Sequence, residues 1–189
     1  GGYMSVRAKG RKISNFPVGV DLTSAYITYI LSGVNYKILF SDFLDQIESP
    51  SAAHSMSYNT GATAVAIATA STPVKIAGTW VDQISNLFTV DGTGKVSYSG
   101  TVNAPIPITA TITVDPDSGT KDITAMLYVN GAVVTATKIA VTGIAAGDKK
   151  PITLNWFYQF STSDYVEIYL QNDTDTTDLT TTYSSLRIN

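Results

Sequence analysis

The chain has no cysteine and a single histidine among its 189 residues. The first absence excludes disulfides and thiolate-bound metal. The second leaves Ser–His–Asp chemistry one candidate base, His54, in a small polar stretch with no second imidazole and no carboxylate cluster beside it. Charge is scarce: 14% of residues are Asp, Glu, Lys or Arg, and the formal net charge is −3. Such a balance gives no electrostatic footprint for nucleic acid. Long apolar runs are missing as well. Nothing approaches the ~18 residues of a membrane-spanning helix, so no membrane partner is expected. The basic start is not followed by the apolar core of a secretory signal, because Asn15, Pro17 and Asp21 interrupt it.

What is present suits strands and tight turns. The apolar fraction is 44%, and Thr, Ser, Gly, Ala, Val and Tyr recur. Residues 25–31 and 36–40 are two apolar runs around Ser32-Gly33-Val34-Asn35 and predict a hairpin. Ser41 then sits as an N-cap before Asp42 and Asp45, with Phe43, Leu44 and Ile47 on one face of a short helix that Pro50 stops. A hairpin and one short helix cannot bury a core alone, so this segment must dock on something. Arg7, Lys9, Arg11 and Lys12 precede it and are candidate attachment residues. The division expected is an N-terminal attachment module over 1–49, a linker over 50–61 and a β domain over 62–189.

In the β domain, short strands alternate with turn signals. Ile106, Ile108, Ala110, Ile112 and Val114 alternate without a break, and Asp115-Pro116-Asp117-Ser118-Gly119 follows. Residues 123–129 lead into Asn130-Gly131, a strong two-residue hairpin signal, and 143–150 read as a loop. About eight principal strands fit the jelly-roll β-sandwich; the smaller immunoglobulin-like sandwich would bring a Cys…Trp…Cys pattern that this chain lacks. The fold class expected is all-β.

The most informative stretch is residues 151–171, two alternating strands joined at Ser161-Thr162-Ser163-Asp164 and expected to pair as a hairpin. Ile152, Leu154, Trp156, Tyr158 and Phe160 fall on one side, with Val166, Ile168 and Leu170. The other side still carries Phe157, Tyr165 and Tyr169, more aromatic surface than a water-facing sheet needs. Met126 and Tyr128 fall on the matching side of their own strand. These five residues are the expected interface of a homotrimer.

Chemistry-bearing motifs are weak. Asp91-Gly-Thr-Gly-Lys95 has the wrong spacing for a phosphate loop and Val96 where a Ser or Thr is required. Asp173, Asp175 and Asp178 offer oxygen ligands, but the glycine and terminal glutamate of an EF-hand loop are absent. Asp164 and Glu167 lie beside a turn with no recognisable partner for paired-carboxylate glycoside hydrolysis. The reading is therefore of a non-enzyme with no cofactor and no metal.

Two resemblances add to this. Ile13-Ser14, Phe16-Pro17, Leu22-Thr23, Gly33-Val34 and Ser41-Asp42 resemble, over some thirty-five residues, an N-terminal segment of bacteriophage virion proteins, especially fibres. That likeness implies an attachment or trimer-initiating module docking on other virion proteins. Phe88, Asp91-Gly92, Gly94, Tyr98, Gly100, Leu127-Tyr128, Asn130-Gly131, Ser163-Asp164-Tyr165-Val166 and Ile168 resemble the trimeric jelly roll of complement- and tumour-necrosis-factor-type domains, and more closely its phage-fibre versions. Ser163 stands where that motif more often has glycine. Together they imply a homotrimeric structural subunit of a phage virion, a fibre or a decoration on the head or tail. The alternative is a receptor-binding tip for a host surface glycan, with Trp80, Tyr98 and Tyr183 as stacking residues.

Overall fold

A computed structural model describes residues 26–31, 34–39, 53–59, 61–101 and 103–189. The chain divides into two units, Gly1–Ile47 and Glu48–Asn189. In the first, β1 (Tyr26–Leu31) and β2 (Val34–Leu39) form the expected antiparallel hairpin, with Leu31 opposite Val34 and Tyr26 opposite Leu39. Val34 and Asn35 therefore belong to a strand, where the sequence places them in the turn. The expected short helix at 41–47 and the basic residues Arg7, Lys9, Arg11 and Lys12 lie outside the described residues.

The second unit is a sandwich of two antiparallel sheets. Its strands are β3 (His54–Asn59), β4 (Thr63–Val65), β5 (Val74–Lys75), β6 (Val81–Asn86), β7 (Phe88–Val90), β8 (Val96–Tyr98), β9 (Ala104–Pro116), β10 (Thr120–Val129), β11 (Ala132–Val133), β12 (Ile139–Ala145), β13 (Lys150–Phe160), β14 (Tyr165–Asn172) and β15 (Leu179–Ile188). The first sheet runs β13-β9-β15-β3-β6, with β4 also on β15. The second runs through β7, β8, β14 and β10, with β11 and β12 on the far side of β10 and β5 on β14. Followed along the chain, β3, β9, β13 and β15 lie in the first sheet and the β7-β8 hairpin, β10, β12 and β14 in the second. Every link between these principal elements crosses the sandwich except that from β10 to β12. This connectivity is the jelly roll.

The core follows from period-two alternation. Ile106, Ile108, Ala110, Ile112 and Val114 of β9 are all buried against Ile123, Ala125, Leu127 and Val129 of β10 and Val166, Ile168 and Leu170 of β14. Pro105 and Pro107 sit in β9 before its pairing with β15 begins at Ile108, so no ladder bond to that strand is lost.

Two expectations need correction. The strands of residues 151–171 do not pair with each other: β13 pairs with β9, whereas β14 pairs with β10, β8 and β5. The turn between them is held to the end of β8, with Ser163 N–H donating to the Tyr98 carbonyl (2.9 Å) and Tyr98 N–H donating to the Asp164 carbonyl (2.8 Å). Within the span read as a linker, His54–Asn59 form β3, between β15 and β6. Their apolar side chains point outward, so a search for inward apolar alternation passes over them. Gly143 to Ala145, read as loop, belong to β12.

The jelly-roll motif has a packing reason. Gly94 adopts φ +89, and the Trp80 indole Nε1 lies 2.5 Å from where a Cβ would stand; the Tyr98 ring lies over Gly100 in the same way. Tyr98 in turn packs on Phe88 and Phe160 at centroid distances of 5.1 and 5.7 Å. Asp91 closes its own turn, accepting from Thr93 N–H (2.8 Å) and Lys95 N–H (3.2 Å).

Ser163 adopts φ 74, in the left-handed region where glycine is at ease. A side chain there costs about 1–2 kcal/mol, partly offset by the larger unfolded-state entropy of glycine. Ser163→Gly is expected to stabilise the domain by about 0.5–1 kcal/mol, read by urea denaturation with an unchanged m value. A loss of stability would show that the serine hydroxyl contributes more than the backbone strain costs.

Candidate functional site

The outer faces of the two sheets differ in how far their side chains satisfy one another. On the second sheet, Met126 is opposite Tyr169 and Tyr128 opposite Glu167. The Tyr128 and Tyr169 rings stack at 3.9 Å with 25° between planes. Met126 is fully buried within this one chain. Glu167, also buried, accepts from Lys75 at 2.7 Å, and Lys75 reaches Thr93 at 3.2 Å. Lys95 Nζ stands 4.3 Å over the Tyr165 ring. Burial, and then the Glu167 charge, push the Tyr169 hydroxyl above its ordinary pKa. This is a closed network.

Phe157 is not part of it. It lies on β13, on the outer face of the first sheet, and is 71% exposed. The five residues expected to form one interface therefore divide between opposite sides of the sandwich, because β13 and β14 belong to different sheets.

The first sheet's outer face is organised in rows across its strands. One row reads Asn155, Thr109, Arg187, Met56, Ile84, and the next Thr153, Thr111, Ser185, Tyr58, Val81. Thr109 donates to Asn155 at 3.0 Å. Arg187 is the only formal charge in these ten positions. Six large apolar side chains are exposed among the described residues, and four of them, Val81, Ile84, Phe157 and Tyr183, lie on this face.

Strand β3 is inside out. Its inward residues are Ser55, Ser57 and Asn59, all buried, and its outward ones are His54, Met56 and Tyr58. The Ser57 hydroxyl, and that of Ser184 on neighbouring β15, are buried without a hydrogen-bond partner. Each such group costs about 1–3 kcal/mol. A strand with this pattern gains little from its own core and offers its apolar side to the outside.

Other candidate groups are committed elsewhere. Trp80 and Tyr98, considered as stacking residues for a glycan, are 4% and 2% exposed and belong to the core; Tyr183 remains on the surface at 37%. Asp164 accepts from Asn130, Tyr158 and the Ser161 N–H. In the acidic loop, Asp173 accepts from Thr124 (2.6 Å) and Gln171 (2.5 Å), Asp175 from Lys121 (2.7 Å) and Asp178 from the Ile67 N–H (2.8 Å). Its carboxylates thus serve as acceptors that tie strands together.

A family model described as CARDB matches residues 86–178. No curated protein matches this sequence. Among solved structures, murine APRIL at pH 8.5 is similar with a TM-score of 0.46 and 9% identity, over 71% of this chain and 98% of that one. The Eiger TNF of S. frugiperda is similar with a TM-score of 0.44 and 12% identity, over 71% of this chain and 92% of that one.

The Lys121 ion pair, followed by hydrogen bonds from Thr177, holds the Asp175 carboxyl far below the usual carboxylate range. A depressed folded-state pKa contributes stability that is complete above the unfolded value of about 3.9 and is lost as pH falls through the folded one. Asp175→Asn is therefore expected to lower Tm at pH 7, with the gap to wild type narrowing below about pH 4. Parallel Tm curves for the two proteins from pH 7 to pH 2 would show that the pair carries no linked stability.

Proposed function

We propose that this chain is a non-enzymatic structural subunit that assembles as a homotrimer through its jelly roll, within a phage virion to which the N-terminal module anchors it. The observation that carries the self-association is the outer face of the first sheet: sparse in charge, holding most of the exposed large apolar side chains, and including an inside-out strand. Neighbouring strands ~4.8 Å apart and a rise of about 3.4 Å per residue give this face roughly 20 by 35 Å, about 700 Å². That is close to the ~800 Å² each partner buries in a stable interface. Phe157 is retained as an interface residue. Met126, Tyr128, Tyr165 and Tyr169 are not needed there, since their own chain already covers or pairs them.

The virion setting rests on the resemblance of residues 13–48 to phage attachment segments, and it has a separate test. Deletion of residues 1–49 should leave a folded, self-associating protein that no longer incorporates into particles. A truncated protein that still decorates virions would reverse the assignment of ends.

Self-association is tested by light scattering on the full chain. The expected mass is three subunits of 20.1 kDa each. Ile84 is 57% exposed, so Ile84→Asp should fold normally while lowering the mass. A wild-type mass of one subunit would sink the reading.

A further inference from the structure

A cyclic trimer cannot be built from one self-complementary patch; each subunit must offer two different patches that fit each other. The first sheet carries two, at its opposite edges. One lies at β6, where Ile84 and Val81 stand out at 57% and 42% exposure beside Met56. The other lies at β13, where Phe157 stands out on the outer face. On the inner side of that same edge, Trp156 and Tyr158 line a groove of about 470 Å³ with Val129, Val133 and Val134. Four strand steps, roughly 19 Å, separate the two edges.

The two edges are guarded differently. Exposed edges are ordinarily blunted by lysines, prolines or inward charges. In β13 the only such residues are Lys150 and Pro151 at its start; from Ile152 to Phe160 there is no charge, and the strand pairs on one side only, with β9. In β6 the single charge, Asp82, stands at an inward register position opposite Ser57 beside a bulge, so this strand is guarded against strand addition and offers its outward side chains, Val81 and Ile84, instead. An unguarded strand at one edge and two outstanding apolar side chains at the other, different in shape, suit head-to-tail contact between copies.

We infer that the β6 edge of one copy of this chain seats against the β13 edge of the next, so that Ile84 of one subunit meets the Phe157 and Trp156 region of its neighbour and three such contacts close the ring. This rests on the self-association proposed above and adds its polarity. The occupant is a second copy because the two patches are both apolar and closing a ring through them brings the nearly uncharged face between them, about 700 Å² per subunit, toward the same face of its neighbours.

The absence of cysteine makes the polarity readable. Full-length Ile84→Cys, Phe157→Cys and the double variant are each treated with a short bis-maleimide and run on a denaturing gel. Both positions are exposed, and unchanged Tm values confirm folding. The double variant is expected to give covalent two- and three-subunit bands, while each single variant stays at one subunit because its cysteine never meets its own copy. A single variant that links to itself as well as the double variant does would mean that like edges meet. A double variant that fails to link would mean that these edges do not touch, and a ladder running past three subunits would mean an open fibre instead of a ring. A wild-type mass of one subunit in light scattering would overturn the self-association itself, which separates the two failures.

Discussion

Much of the structure depends on the Asp164 carboxylate. One of its oxygens accepts from the Asn130 amide (2.7 Å), the other from the Ser161 N–H (2.8 Å) and the Tyr158 hydroxyl (3.2 Å). Asn130 in turn accepts from the Tyr165 N–H at 3.0 Å, and Thr162 donates to the Gly100 carbonyl at 2.7 Å. The crossover from β13 to β14 is thereby tied to the β10–β11 turn and to the end of β8. Burial, and then the Asp164 charge, raise the Tyr158 pKa, as expected for a hydroxyl held as a donor to a carboxylate. The three sequence segments that carry the jelly-roll resemblance, around Tyr98-x-Gly100, Asn130-Gly131 and Ser163-Asp164-Tyr165, are far apart in the chain and meet at this corner. Their spacing is what the corner requires.

That convergence explains what could be read beforehand. The alternation of β9, β10 and β14 is governed by burial on one face, and burial leaves a periodic trace in sequence. Turn residues leave a similarly local trace: Asn130 at φ 52 and Gly131 at φ 76 adopt the backbone that Asn-Gly announces. Pairing leaves no local trace. Residues 151–171 have the form of a hairpin, two alternating strands about a four-residue turn, and nothing in their pattern reveals that the turn crosses between sheets. The decision lies with Tyr98, more than sixty residues upstream, whose backbone N–H and carbonyl both bond to the turn. The interface expected at Phe157, Tyr165 and Tyr169 follows from the assumed pairing and divides when the pairing does.

The strand that escaped notice, β3, is informative for the opposite reason. Sequence patterns find strands by assuming that the apolar side faces the subunit's own core. In β3 the core side is Ser55, Ser57 and Asn59, and only part of that polarity is satisfied. Asn59 donates to Thr63 (2.8 Å) and accepts from the Gly61 N–H (2.9 Å), and Ser55 bonds Ser85 at 3.2 Å. Ser57 remains unpaired. Its place in the sheet is fixed by backbone pairing to β15 on one side and β6 on the other.

The two faces of the sandwich follow from one rule applied to different surroundings. On the second sheet, Tyr128 and Tyr169 are large and lie diagonally across a strand pair, so they cover each other, and Lys75 neutralises the charge of Glu167 beside them. On the first sheet, most outward positions of β9 and its neighbour β15 are short, among them Thr109, Thr111, Thr113 and Ser185, with Tyr183 and Arg187 the long exceptions. Short side chains leave the bulky ones at the two edges only partly covered by their own chain, Ile84 at 57% and Phe157 at 71% exposure. The proposed self-association would give Ile84 and Phe157 the burial that Tyr128 and Tyr169 already have, and in the two central rows of the face it covers one formal charge, Arg187. On the proposed reading, the functional weight of the molecule falls on the sheet with the plainer sequence, whose central outward positions are rich in hydroxyls.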